Sequence, residues 1–298
     1  MLKLAIVGFG VFGRNHFRIL DALDSCTIVS VCDIQLPQID GVRVYSCIDT
    51  MLSNEVLDAV IICSPTSTHL NIACKCLAAG LDIFIEKPAA STSSDANAIL
   101  LEREKFNAKV VVGHVERFNP AVIALKEALM DQEILSISIT RVGPFPPRIA
   151  DVGILVDLSV HDIDILRFIT GKEIVSSGIY KSKKIHSSHE DNAILSFTLQ
   201  DEIVASITTN WLTPFKKRSI EVSCRSGYFV ADLLAQELTQ YSKYDYDTNS
   251  FTTRNCSVDK VEPLKSELIN FLSFIKGDED CFCASLEDSI KTLEIIGY

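Results

Sequence analysis

Residues 2–13 read LKLAIVGFGVFG. Leu2–Val7 is an almost uninterrupted apolar run and predicts a strand. It passes directly into Gly8-Phe9-Gly10-Val11-Phe12-Gly13, a G-x-G-x-x-G pattern, and then into helical spacing over 12–23. A second apolar run, 28–32, ends at Asp33, twenty residues after Gly13. Strand, glycine turn, helix, strand and acidic residue in that order form the dinucleotide-binding arrangement. Gly8 permits the tight turn, Gly10 lets backbone approach a pyrophosphate, and Gly13 lets helix and strand pack closely. The helix N-terminus offers N–H donors and a positive dipole to the phosphates. Asp33 suits the ribose hydroxyls of NAD and repels the 2′-phosphate of NADP. Gly8, Phe9, Gly10, Val11, Phe12, Gly13 and Asp33 are therefore the expected cofactor contacts.

The same grammar continues to about residue 119. Apolar runs at 42–45, 58–63, 82–85 and 110–113 alternate with helical stretches at 66–79, stopped by Gly80, and 93–106. Short apolar runs without alternation are strands buried on both faces, so this half is a doubly wound parallel Rossmann sheet. After Gly113 the pattern changes. Helices are expected at 120–130 and 157–169, and an alternating strand at 135–141. GPFPPR (143–148) carries three prolines and is not expected in a central strand. From 173 to about 257, five or six strand-like runs with little helix imply a large open, mainly antiparallel sheet. Helices at 264–275 and 286–296 close the chain. The expected division is 1–119 for the dinucleotide-binding domain and 120–298 for an α+β substrate and oligomerisation domain, its last helices free to pack back on the first.

The 298 residues are 47% hydrophobic and 22% charged, the balance of a folded globular chain. A formal charge of −11 disfavours nucleic acid as a partner. No run of apolar residues reaches membrane-spanning length. The N-terminus lacks the basic region of a signal peptide, so a cytoplasmic location is expected. Ten cysteines contain no CxxC, and their two CxC pairs lack histidines at zinc spacing. Buried reduced thiols and no metal are expected.

In a doubly wound sheet the ligand lies along the C-terminal strand edge. Ser64, Pro65, Thr66, Thr68 and His69 follow one strand, and Glu86 and Lys87 follow the next, so these join the cofactor contacts. Helix capping is the competing role for Ser64, Thr66 and Thr68. Gly113–Pro120 follows a third.

GFGVFG, CSPTSTH (63–69), EKP (86–88) and GILVDLSVHDIDILRFITG (153–171), in this order, resemble the Gfo/Idh/MocA family of nicotinamide-dependent oxidoreductases over nearly the whole chain. The last segment resembles the family's D-x-x-x-H signature. GHVERFNPAV (113–122), RVGPFPPR (141–148) and DVGILVDLSVHDID (151–164) resemble the branch that oxidises C3 of UDP-N-acetylglucosamine. The resemblance implies a 3-keto product for a pyridoxal-phosphate aminotransferase, within lipopolysaccharide lipid A or other cell-surface glycan synthesis. It also implies a homodimer or homotetramer joined through the open face of the C-terminal sheet. Where the family often has GGG before the helix, this chain has DVG, leaving Gly153 alone.

Oxidising a secondary alcohol needs a base for the hydroxyl proton while nicotinamide takes the hydride. Lys87, Asp157 and His161 match the family's catalytic set. Asp157 and His161 are four apart and share a helix face. His161 is a natural base at neutral pH, oriented by Asp157. Lys87 can hydrogen-bond the alcohol oxygen or act as the base itself. The competing role for the Asp–His pair is a surface or cap contact.

A UDP-sugar diphosphate calls for cationic clamps. Arg117, Arg148, Arg141 and the run 216–218 are candidates, with Lys87 and His161 also touching substrate. Asn119 could bind a sugar hydroxyl or cap the helix beginning at Pro120. Trp211 reads as core or interface. Competing functions are oxidation of a related UDP-sugar bearing a C6 carboxylate, oxidation of a free sugar or polyol, and NAD(H) sensing without turnover.

Overall fold

The computed structural model describes residues 1–146, 152–278 and 281–298. Their contacts divide into two compact units, 1–115 with 264–298, and 116–263. The C-terminal helices thus group with the first unit, and the boundary falls four residues before the one read from sequence.

In the first unit, β1 (Leu2–Val7), β2 (Cys26–Cys32), β3 (Arg43–Tyr45), β4 (Ala59–Ile62), β5 (Asp82–Glu86) and β6 (Val110–Gly113) form one sheet in the order β3-β2-β1-β4-β5-β6. Every pairing is parallel. The order reverses at β1, so the crevice beside its C-terminal end is the switch point where ligands bind. Helices α1 (Val11–Leu20), α2 (Ile48–Asn54), α3 (His69–Ala78) and α4 (Ser93–Phe106) fill the crossovers. Sequence reading missed α2, whose seven residues bury only Met51 and so give little periodicity.

The grouping of α7 (Pro263–Ile275) has a plain cause. Leu268, Phe271 and Leu272 are buried in one cluster with Leu4, Ile6, Phe84 and Val111. Each such side chain contributes about 1.5–3 kcal/mol on burial. α8 (Leu286–Ile296) begins with a capping box from Ser285 and Asp288, and Arg103 of α4 grips Glu287 with two bonds of 2.9 and 3.2 Å.

In the second unit, α5 (Pro120–Leu129) and α6 (Val160–Thr170) accompany an eight-stranded sheet. Its strands are β7 (Ile134–Pro144), β8 (Ile174–Ser182), β9 (Asn192–Leu199), β10 (Val204–Asn210), β11 (Leu212–Cys224), β12 (Gly227–Asp232), β13 (Glu237–Ser242) and β14 (Thr253–Cys256). The order is β14-β13-β12-β11-β7-β10-β9-β8, antiparallel throughout except β7 with β10. One face buries Ile137, Ile139, Leu195, Phe197, Ile207, Ile220 and Phe229. Alternate positions on the other carry Ser136, Ser138, Thr140, Ser196 and Thr208, with exposed Ile194 and Val204.

Two expectations are corrected here. Gly143 and Pro144 complete β7, a central strand. Pro144 is tolerated because the β7–β11 register shifts between its partner Leu212 and Lys217, so the ladder is already irregular. The helix expected at 157–169 starts as a π-helical turn, Leu155–Ser159, before α6.

Candidate active site and cofactor cleft

The β1–α1 turn separates three roles for its glycines. Gly8 has φ +87°, and a Cβ there would stand 2.5 Å from the Ser64 nitrogen. A Cβ on Gly13 would overlap the Gly8 carbonyl oxygen and lie 3.0 Å from its carbon. These two are demanded by the protein's own packing. Gly10 is different: a Cβ there meets no atom of the described residues within 4 Å, and its φ of −72° suits any residue. Packing therefore gives no reason for glycine at 10, whereas an approaching pyrophosphate does.

Asp33 braces the same turn. Its Oδ2 accepts from the Phe9 N–H at 2.6 Å, and its Oδ1 from the Gln35 N–H at 2.8 Å. It lines a cleft of about 390 Å³ with Gly8, Ser64, Pro65, Thr68 and Lys75. The residues present fit a dinucleotide: an open glycine at the helix start, a carboxylate at the end of β2, and a cleft between them. Phe9 packs its ring edge-on against Phe17 at 5.6 Å, whereas Val11 and Phe12 are exposed at the start of α1. Ser64 and Thr68 share a 2.7 Å hydroxyl contact, and Thr68 donates to the Pro65 carbonyl at 2.7 Å. They close their own turn, through the 3₁₀ stretch Thr66–Thr68, rather than capping α3 through a side chain.

Glu86 and His69 have inward-facing roles. Glu86 Oε1 pairs with His16 Nε2 at 2.7 Å, and its Oε2 accepts from the Lys87 backbone N–H at 3.2 Å. His69 is buried, with Nε2 2.9 Å from the Ser64 carbonyl and Nδ1 3.1 Å from that of Pro88. Both carbonyls can only accept, so a neutral ring serves one and an imidazolium both. Burial lowers the His69 pKa below the ordinary histidine value, against its two carbonyl contacts and the charge of Glu86. Sequence reading overlooked His16. Its signal was a polar residue on the face of α1 that buries Gly13, Ile19 and Leu20.

In the second unit, Asp157 sits in the π-helical turn, a distortion frequent at functional sites. Its N–H donates to the Gly153 carbonyl at 3.0 Å. A side chain on Gly153 would run into the Glu190 carboxylate, so the single glycine of DVG is needed for packing. Asp157 lines a pocket of about 130 Å³ with Arg141, Trp211, Lys216 and Arg218. His161 is nearly buried at the start of α6.

Behind this pocket lies a buried charge network. Glu116 Oε1 accepts from Arg141 at 2.8 Å and from Arg218 at 2.9 Å, and Arg141 Nε donates to Asp162 at 2.7 Å. Burial pushes Glu116 up, but Arg141 and Arg218 outweigh it and hold the carboxyl below its usual range. The Arg218 side chain is 35% exposed, and Arg141 only 3%.

Two expected substrate contacts are committed elsewhere. Arg117 makes a buried two-bond pair with Asp164, at 2.8 and 2.6 Å, and lies over the Phe168 ring. Asn119 accepts from the Ala121 N–H at 3.1 Å as the cap of α5 and donates to the Leu233 carbonyl at 3.0 Å. A buried guanidinium needs its carboxylate, and a helix N-terminus its cap, before either can serve a ligand. Arg148 lies outside the described residues. Trp211 is core, packed edge-on against Phe145 at 5.7 Å.

The cysteines are free but not uniformly buried. Cys26, Cys32, Cys76 and Cys224 are buried, five are half-buried and Cys47 is exposed. Among the described residues no group of three acidic, His or Cys side chains could hold a metal, and no helix is long and apolar enough to cross a membrane.

The family model described as oxidoreductase family, NAD-binding Rossmann fold, matches residues 2–114, and that of the GFO/IDH/MocA C-terminal domain matches 133–230. The chain belongs to the Gfo/Idh/MocA family of oxidoreductases, and its cofactor is NAD. Among curated relatives, the UDP-N-acetylglucosamine 3-dehydrogenase of Acidithiobacillus ferrooxidans is 26% identical, covering 95% of this chain and 91% of the relative. Inositol 2-dehydrogenase 2 of Saccharopolyspora erythraea is 28% identical, covering 85% and 76%. The solved structure of the Acidithiobacillus ferrooxidans enzyme superposes with a TM-score of 0.89 at 24% identity, over 98% of this chain and 94% of that one. An oxidoreductase from Agrobacterium radiobacter, solved with NAD+, L-tartaric acid and magnesium, gives a TM-score of 0.85 at 18% identity, over 99% and 94%. These likenesses in structure support the fold.

Proposed function

We propose that this oxidoreductase oxidises the C3 hydroxyl of UDP-N-acetylglucosamine to the 3-keto sugar nucleotide. The observation that carries the reading is the pocket around Asp157, where Lys216 and the exposed part of Arg218 present positive charge suited to a diphosphate. Similarity to the 3-dehydrogenase over 95% of the chain supports it. Bound NAD supplies the hydride acceptor. His161 takes the hydroxyl proton, and Asp157 orients its imidazole and stabilises the charge it gains. Lys87 donates to the alcohol oxygen and stabilises developing alkoxide. Arg148 joins the diphosphate clamp. The keto product suits a pyridoxal-phosphate aminotransferase, which would draw an unfavourable equilibrium forward. We assign the enzyme to the cytoplasm and the hydroxyl-rich sheet face, with Ile194 and Val204, to contact between copies.

Near-ultraviolet absorbance of NADH, with a panel of UDP-sugars and an aminotransferase plus glutamate, tests the reading. UDP-N-acetylglucosamine should give turnover. His161→Ala and Lys87→Ala should each lower kcat by about 10²–10⁴-fold. Faster turnover of myo-inositol than of any UDP-sugar would establish the second reading, a polyol dehydrogenase, which the inositol 2-dehydrogenase similarity favours. NAD binding without turnover of any of these alcohols would count against both.

A further inference from the structure

We infer that His16 and His69 are positioning residues for Lys87, each fixing one of the residues that flank it. The inference rests on the role proposed for Lys87 above.

Lysine is a poor choice for a fixed donor unless something holds it. Its ammonium rides on a four-carbon stem that carries about 2 kcal/mol of rotamer entropy. A misplacement of about 1 Å can cost on the order of 10²-fold in rate. The backbone beneath such a side chain has to be stiff before the side chain can be accurate. Here Lys87 directly follows the last residue of β5, where the ladder no longer restrains it.

The structure supplies restraint from both sides. On the preceding residue, Glu86 accepts from the Lys87 N–H through one carboxylate oxygen, while the other is held by His16. The His16 ring is fully buried and stacks edge-on against Phe84 at 5.2 Å, itself against Phe271 at 5.5 Å. Glu86 is thus fixed to the hydrophobic core through an imidazole. Gly113 on the neighbouring strand leaves it room: a Cβ there would stand 3.2 Å from Glu86 Oε2 and 3.1 Å from the Phe84 ring. On the following residue, the Pro88 carbonyl meets His69, whose other nitrogen faces the Ser64 carbonyl. His69 therefore links the segment after β5 to the loop after β4.

A buried histidine is often no more than a satisfied core residue. These two differ in what satisfies them: in both, the partners belong to residues adjoining Lys87 or to the cofactor-edge loop. An apolar ring of similar size would fill either space without the cost of burying polar nitrogens. A ring with one bare nitrogen is the worse packing choice, and His16 Nδ1 has no hydrogen-bond partner among the described residues. Precise placement of Glu86 accounts for that cost; filling space does not.

The test combines single variants with a Lys87→Ala background, using whichever alcohol supports turnover. His16→Phe and His69→Phe keep an aromatic ring and remove the donors. Each should lower kcat by roughly 10–100-fold, the usual effect of removing groups that orient functional side chains. The KM for NAD should change much less. In the Lys87→Ala background the same substitutions should cost nothing further, because they act through Lys87. Equal losses in both backgrounds, or unchanged kcat in both single variants, would overturn the inference. Should His16→Phe fail to fold, Glu86→Gln tests the same arm, with the same criteria. Competitive acylation of the protein without NAD reads the brace directly: the rate at Lys87, resolved by mass spectrometry, should change in each variant while that at Lys109 does not. Full activity of Lys87→Ala alone would instead remove the role assigned to Lys87, a separate outcome that the acylation rates distinguish.

Discussion

Replacing Gly10 and Gly13 separately by alanine should divide cofactor binding from folding. At Gly10 the backbone angles, φ −72° and ψ −154°, are open to any L-residue, and the new methyl meets no atom of the described residues within 4 Å. Alanine is a poorer N-cap than glycine but restricts the unfolded chain, effects of at most about 1 kcal/mol that oppose each other. Thermal stability should hold to within a few degrees. The methyl instead enters the space reserved for a pyrophosphate. Losing one hydrogen bond to that charged group costs about 1.5–3 kcal/mol, so the Kd for NAD should rise roughly 10–100-fold. At Gly13 the methyl overlaps the Gly8 carbonyl oxygen, a backbone atom that cannot swing aside. Overlap with a backbone atom puts the overpacking toward the upper part of its range, about 2–3 kcal/mol, against the ~1 kcal/mol that alanine gains over glycine in a helix. A net loss of about 1–2 kcal/mol lowers Tm by roughly 2–8 °C. Calorimetric titration with NAD and thermal melts of both variants decide the matter. Unaltered NAD affinity in Gly10→Ala, or equal destabilisation by the two substitutions, would refute the assignment of Gly10 to the ligand and Gly13 to the fold.

Asp33→Ala removes the brace on Phe9 and the charge facing a 2′-phosphate, so the preference for NAD over NADP in binding titrations should shrink by about tenfold or more. Glu116→Ala leaves Arg141 and Arg218 short of their shared carboxylate and should cost about 3–5 kcal/mol in urea unfolding, with Glu116→Gln costing less because an acceptor remains. His69 has a folded pKa below its unfolded value of about 6.5, so the unfolded chain takes up its proton first as pH falls. Stability should therefore drop as pH falls through about 6.5 toward the lowered folded value; urea midpoints of His69→Phe should fall less over that range than those of the unmodified chain.

Much of the first unit was legible because its determinants are local. Parallel strands buried on both faces read as short apolar runs, and the glycine turn, Asp33 and the strand-end segments follow from their order along the chain. Even the split between glycine roles follows the pattern, although only the packing shows that of Gly8, Gly10 and Gly13 it is Gly10 that has open space. In the second unit, alternation in β9 and β10 revealed half-buried strands, yet their pairing order and the single parallel contact between β7 and β10 depend on residues far apart in sequence.

Side-chain commitments were the part that sequence could not decide. Arg117, Arg141 and Arg218 are alike as letters. Asp164 occupies the first, Glu116 and Asp162 hold the second, and the third shares Glu116 while keeping part of its guanidinium exposed. The same holds for the histidines. His161 stood out by its spacing from Asp157, whereas His16, a polar residue on the buried face of α1, gains its partner only when folding places it against Glu86, seventy positions away. Local sequence determined where strands, turns and helix starts fall, because backbone geometry is set by neighbouring residues. Tertiary structure alone decided which charges neutralise one another and which remain for a ligand, because Coulomb and hydrogen-bond energies depend on distance in space rather than along the chain.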